Sequence, residues 1–275
     1  MLERTFCHLP GVGPSTEKKL WAKGIGNWKE ALNEFDRPGV KNRAIREAIL
    51  KSMEKLALGD AAYFTSLLPA AQQYRLFKTF RHTAVFLDIE TTGLSPWDEI
   101  TTIALYDGTR IRHYVRGDNL DAFTADIRDY GLIVTYNGKT FDLPFIRTHM
   151  NISLDPAHID LRYVLGSLGF KGGLKQCEKA MGLDRGGLDG VDGSIAVILW
   201  HEYRKTGDPR CLETLLAYNI EDVINLEPLL VRAYNMNLEA MGFTGSLLPE
   251  PSSPENPFVP DPGLVNRLIS FAPFF

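Results

Sequence analysis

Cysteine is scarce: Cys7, Cys177 and Cys211 lie far apart and are odd in number. Nothing in that pattern supports a disulfide framework, and a reduced, cytoplasmic protein is expected. No run of about 18 apolar residues occurs, so no membrane span is expected. The opening stretch MLERTFCHLPGVG lacks the apolar core of a signal peptide. Neither CxxC nor HExxH is present, which removes the common zinc motifs. No internal repeat is found. Gly138-Lys139-Thr140 matches the end of a phosphate-binding loop, but Ile133 stands where the first glycine belongs. Gly24-x-Gly26 leads to Lys29 instead of a third glycine, so no dinucleotide fingerprint exists. The 6 histidines are scattered and read as surface or packing residues.

What is present is an ordinary globular composition, 44% hydrophobic and 23% charged over 275 residues. The net charge of −4 hides an asymmetry. Residues 1–80 hold 13 Lys and Arg against 8 Asp and Glu, and residues 81–275 hold 17 against 26. A basic front end on an acidic body fits a nucleic-acid grip beside a metal-binding module; chance variation in surface charge fits as well.

Residues 1–80 read as helical, with apolar spacings of three and four around residues 30–35 and 43–58 and a break at Pro38-Gly39. From residue 83 the pattern turns to strands: 83–89, 100–106, 111–115 and 132–136, with a short piece at 157–161. Asp107-Gly108 predicts a hairpin turn. Helices are expected over 118–130, 173–181, 194–205 and 212–234. Such an order implies a mixed sheet covered by helices. The stretch 236–275 is expected as a proline-rich tail, whose residues 247–275 hold seven prolines and are regular only near 263–270. Its apolar end either packs back on the core, the favoured reading, or meets a partner.

Carboxylates inside apolar segments are the chemistry-bearing residues. Asp88 and Glu90 stand two apart in VFLDIETTGL, so they share one face at the C-terminal end of a strand. Open α/β sheets bind ligands at such strand ends. Asp142, in YNGKTFDLPF, also reads as a helix N-cap, and alone that role is preferred. Tyr218 and Asp222 are four apart and stack on one helix face among Leu215, Leu226 and Leu229. Burying an unpartnered Asp there is costly. Phosphodiester cleavage needs charge stabilisation at two oxygens, and two divalent ions, Mg²⁺ or Mn²⁺, provide it on carboxylate ligands. Asp88, Glu90, Asp142 and Asp222 form the expected metal set. Tyr218 is placed to orient the attacking water.

DIETTGL, YNGKTFDLPFI and YNIED resemble, in order, the three motifs of the DEDD exonucleases of the ribonuclease H-like superfamily. Tyr218-x3-Asp222 resembles the DEDDy subclass; Ala217 occupies the place of the alternative histidine. HIDLRYVLGSLGF, GGLKQCEKAMGL and LWHEYRKTGDPRCLETLLAYN are similar to predicted bacterial exonucleases of the YprB type. The resemblance covers about residues 82–235 and implies an α/β fold: a ribonuclease H-like mixed five-stranded sheet flanked by helices. It also implies two metals and 3′→5′ exonuclease action on a single-stranded DNA or RNA end. The expected division is a helical region over 1–80, a nuclease domain over 81–235 and the tail.

Residues 6–26 resemble a helix-hairpin-helix. Gly11 and Gly13 allow backbone N–H groups to approach a phosphate, and Lys18 and Lys19 follow. Glu17, among the basic residues, would repel it if it faced the ligand. The segment is thus either a grip or a structural joint. Thr91 and Asn137, beside the acids, complete the expected nucleic-acid contacts. Two other functions fit the same fold: a non-catalytic nucleic-acid-binding module and a structure-specific endonuclease.

Overall fold

The computed structural model describes residues 1–35, 43–95, 97–183 and 193–271. The expected break at Pro38-Gly39 and the last residues of the tail, including Pro273, lie outside the described residues.

The front end is helical. Helix α1 (Pro14–Ala22) carries Pro in its first turn, where the missing N–H has no helical partner anyway. Helices α2 (Trp28–Phe35), α3 (Arg43–Ala57) and α4 (Ala61–Leu67) follow, with Asp60 capping α4 through Tyr63 N–H. A 3-10 segment (Ala70–Leu76) and α5 (Phe77–Phe80) lead into the sheet. Trp28, Phe64, Tyr74, Phe77 and Phe80 share one apolar core with Phe86 of the sheet.

Five strands follow in the order β3-β2-β1-β4-β5. They are β1 (Ala84–Thr91), β2 (Ile100–Tyr106), β3 (Ile111–Val115), β4 (Leu132–Thr135) and β5 (Ala157–Asp160). β1 is central, antiparallel to β2 and parallel to β4. The β2–β3 hairpin closes as expected: Asp107 Oδ1 accepts from Thr109 N and Arg110 N, and Gly108 takes φ +91°.

One helix over 118–130 does not form. Helix α6 (Phe123–Asp126) is flanked by 3-10 turns at Leu120–Ala122 and Ile127–Asp129. The Asn119 side chain explains the late start. It accepts from Val115 N and donates to His113 O, which ties the chain to the end of β3.

The remaining helices are α7 (Asp142–Met150), α8 (Leu161–Ser167), α9 (Leu174–Ala180), α10 (Gly193–Thr206), α11 (Pro209–Ala240) and α12 (Pro262–Phe271). Alternation along β1 splits the core. Val85, Leu87 and Ile89 pack with Leu143 and Ile146 of α7, whereas Ala84 and Phe86 pack on the side of α11 residues Val223, Leu226 and Leu230. The tail folds back: Asn256 Nδ2 donates to Ala217 O at 2.7 Å, and Leu264, Val265 and Leu268 are buried with Leu199 and Trp200 of α10.

Candidate metal centre

The period of the strand puts Asp88 and Glu90 on the α11 face of β1, just before the register shift between Glu90 and Thr91. Helix α11 crosses that face and brings in Asp222. Oxygens of Asp88, Glu90 and Asp222 lie within 4.8 Å of one another. Asp142 stands behind them, 3% exposed, and its Oδ1 accepts from Ile89 N at 3.2 Å. The capping reading of Asp142 is corrected here. Asp142 is the first residue of α7, Phe141 holds the N-cap position, and no side chain caps the helix. Its carboxylate reaches across to Ile89 N of β1 and caps none of the later N–H groups of α7.

Asn219 is a residue that the motif reading passed over. Its Nδ2 donates to Asp88 Oδ2 at 2.7 Å while its Oδ1 accepts from Thr102 Oγ1 at 3.0 Å. This fixes both the amide and the carboxylate it holds. The signal was an Asn, directly after Tyr218, in the middle of an apolar helical stretch. Tyr218 is buried, and Lys175 Nζ of α9 sits 4.1 Å from its ring centroid.

Burial and like charge act together on the acids. Burial pushes the Asp88 carboxyl well up, with Asp142, Asp222 and Glu90 adding repulsion. Asp142 is pushed up to about 7, chiefly by burial. Such a cluster favours a cation that supplies positive charge to several oxygens at once. The donor set is all hard oxygen, which suits a Mg²⁺- or Mn²⁺-type dication. Among the described residues, this acidic group is the one whose geometry fits a metal ion.

The nucleic-acid candidates divide by position. Thr91 is buried and its Oγ1 donates to Gly93 O at 2.6 Å. Asn137 takes φ +66°, and its Oδ1 accepts from Thr140 Oγ1 and from Arg162. Both therefore shape loops beside the acids. The β1–β2 loop is itself built: Asp98 accepts from Thr92 Oγ1 at 2.9 Å and from Ser95 N at 2.7 Å. A Cβ on Gly93 would lie 2.6 Å from Asp98 Oδ2, so glycine is required there. This loop holds Leu94 and Trp97 out in solvent, 85% and 90% exposed.

Gly11, Gly13, Lys18 and Lys19 are exposed. Glu17 points inward, 1% exposed, and accepts from Cys7 N at 3.1 Å and from Arg75 Nη1 at 2.8 Å. Arg75 in turn reaches Met241 Sδ, and Trp21 packs edge-on against Phe243. The hairpin thus packs beside the C-terminal end of α11, 18 residues beyond Asp222 on that helix.

A family model described as RNase_H superfamily (RNase_H_2) matches residues 85–234. No curated protein matches the chain. Among solved structures the chain is similar to the family B DNA polymerase from the hyperthermophilic archaeon Pyrobaculum calidifontis. The TM-score is 0.37 and the identity 14%, over 56% of this chain and 29% of the polymerase.

Proposed function

This chain belongs to the RNase_H superfamily, whose members are typically phosphodiester hydrolases, and we propose that it is a metal-dependent 3′→5′ exonuclease of the DEDDy type. The observation that carries this reading is the convergence of Asp88, Glu90 and Asp222 oxygens within 4.8 Å on a β1–α11 frame. Buried Asp142 stands behind them, and Tyr218 lies one helical turn before Asp222.

Asp88, Glu90, Asp142 and Asp222 would hold two divalent ions. When bound, these neutralise the acids and stabilise charge on the attacking and leaving oxygens of the phosphodiester. The chain's own residues do the positioning. Asn219 locks the rotamer of Asp88. Tyr218, whose ring is covered by Lys175, orients the attacking water with its hydroxyl. Exposed Trp97 offers an aromatic face on which an unpaired base would stack, with Leu94 adding apolar surface, which supports a single-stranded 3′ end as substrate.

The test uses 3′-labelled linear and circular single-stranded oligomers, DNA and RNA, with Mg²⁺, Mn²⁺ or chelator. Stepwise loss from the 3′ end, an intact circle and no reaction in chelator are expected. Cleavage of the circle would make the protein an endonuclease; affinity without cleavage would make it a binding module. Asp88→Asn conserves shape and removes charge, so a loss of on the order of 100-fold or more in rate is expected with the fold retained. Undiminished cleavage by folded Asp88→Asn would sink the metal assignment.

A further inference from the structure

The Asp160 carboxylate, at the end of β5, is 1% exposed and takes no part in the proposed chemistry. Its Oδ1 accepts from Arg162 N at 3.0 Å, which caps α8. Capping explains only that bond, and Ser or Thr caps about as well without burying a charge. The same carboxylate accepts two more: Asn137 N on Oδ1 at 2.8 Å and Lys139 N on Oδ2 at 3.1 Å. Both belong to the turn that joins β4 to α7.

That turn is a demanding one. Asn137 adopts the left-handed region at φ +66°. Gly138 N donates to Thr135 Oγ1 at 3.0 Å, and a Cβ on Gly138 would lie 2.3 Å from the same oxygen. Four residues past Gly138 comes Asp142, aimed at Ile89 N between Asp88 and Glu90. A turn with an unfavourable backbone angle and no side-chain cap on its helix needs an external brace. Asp160 is that brace, pinning the residues on both sides of Gly138.

We propose that Asp160 is a positioning residue for the metal-binding carboxylates, clamping the β4–α7 turn so that Asp142 meets the end of β1. The inference rests on the exonuclease reading only in taking Asp142 as a metal ligand. Its effect on the ligand is read in metal affinity as well as in rate.

The test is Mn²⁺ titration calorimetry on the full chain, with melting temperatures in chelator. Asp160→Ser keeps the α8 cap but is too short to reach the turn. A rise of roughly tenfold or more in the Mn²⁺ dissociation constant is expected, the range for lost supporting contacts at metal sites. Cleavage should recover as Mn²⁺ is raised. The control is Asp60→Ser, the same change at the cap of α4, which should lower stability without changing Mn²⁺ affinity. An unchanged constant in folded Asp160→Ser overturns the proposal, as does an equal loss in Asp60→Ser. If Asp160→Ser does not fold, Asp160→Asn is read the same way, since its amide sets a donor against one of the turn's N–H groups. Wild-type protein that takes up no Mn²⁺ would overturn the metal reading itself, a result distinct from equal binding by wild type and variant.

Discussion

Asp142 and Asp88 show how far a fold will go to place charge. Each sits where burial alone disfavours ionisation, and each is further repelled by its neighbours. The sign of the consequence follows from the raised pKa values. Between the unfolded carboxylate value of 3.8 and about 7, the metal-free fold holds a proton on Asp142 that the unfolded chain has lost. This stability is complete below 3.8 and disappears as pH rises through about 7. Metal binding needs the ionised form, so its pH dependence is opposite. The rise in melting temperature on adding Mn²⁺ should therefore be small near pH 6 and large near pH 8. A metal-induced shift that is flat across this range, measured by calorimetry, would count against Asp142 as a ligand.

At the scale of elements, the hairpin is tied to the body by a buried ion pair. Glu17 and Arg75 side chains are 1% and 2% exposed, and their pairing joins α1 to the 3-10 segment that precedes the sheet. Removing one partner strands a charge, whereas removing both leaves only a packing change. Glu17→Gln should destabilise by about 3–5 kcal/mol, and the double change Glu17→Met with Arg75→Met should recover much of that loss. Urea unfolding measures both. Equal destabilisation by the single and double changes would mean that the pair is no electrostatic joint. Glu17 thus has a structural role whatever the exposed lysines do.

For the whole molecule, the hairpin packs beside the C-terminal end of α11, whereas Asp222 lies near the middle of that helix. Asp222 lies 18 residues before the end of α11 that the hairpin packs beside, so only a substrate that spans this length reaches both. If Lys18 and Lys19 hold phosphate, the pair Lys18→Ala and Lys19→Ala should weaken binding of substrates longer than this and flatten their salt dependence. Shorter substrates should be unaffected. Fluorescence anisotropy against NaCl concentration, over a length series, reads this directly. Unaltered affinity and slope at every length would leave the hairpin as a joint alone.

Much of this was legible in the chain. The strand segments around Asp88 and Ile133 show as compact apolar runs because a strand buried on both faces must be apolar throughout. Asp88, Glu90 and Asp222 stand out because a carboxylate in such surroundings needs a reason. The Tyr218–Asp222 spacing follows from the helix repeat alone. Other features depended on contacts between residues far apart in sequence. Asp142 has the local pattern of an N-cap, and only the approach of β1, 53 residues earlier, turns its oxygen to Ile89 N. Asn119 breaks the helix over 118–130 by bonding back to β3. Glu17 lies among lysines in sequence, yet Arg75, 58 residues on, takes it into the core. Asn219 and Asp160 are ordinary polar residues until the strands and the turn they brace are packed beside them. Periodicity and burial preference act along the chain and can be read from it; a hydrogen bond or ion pair between distant segments exists only once the sheet has brought both partners together.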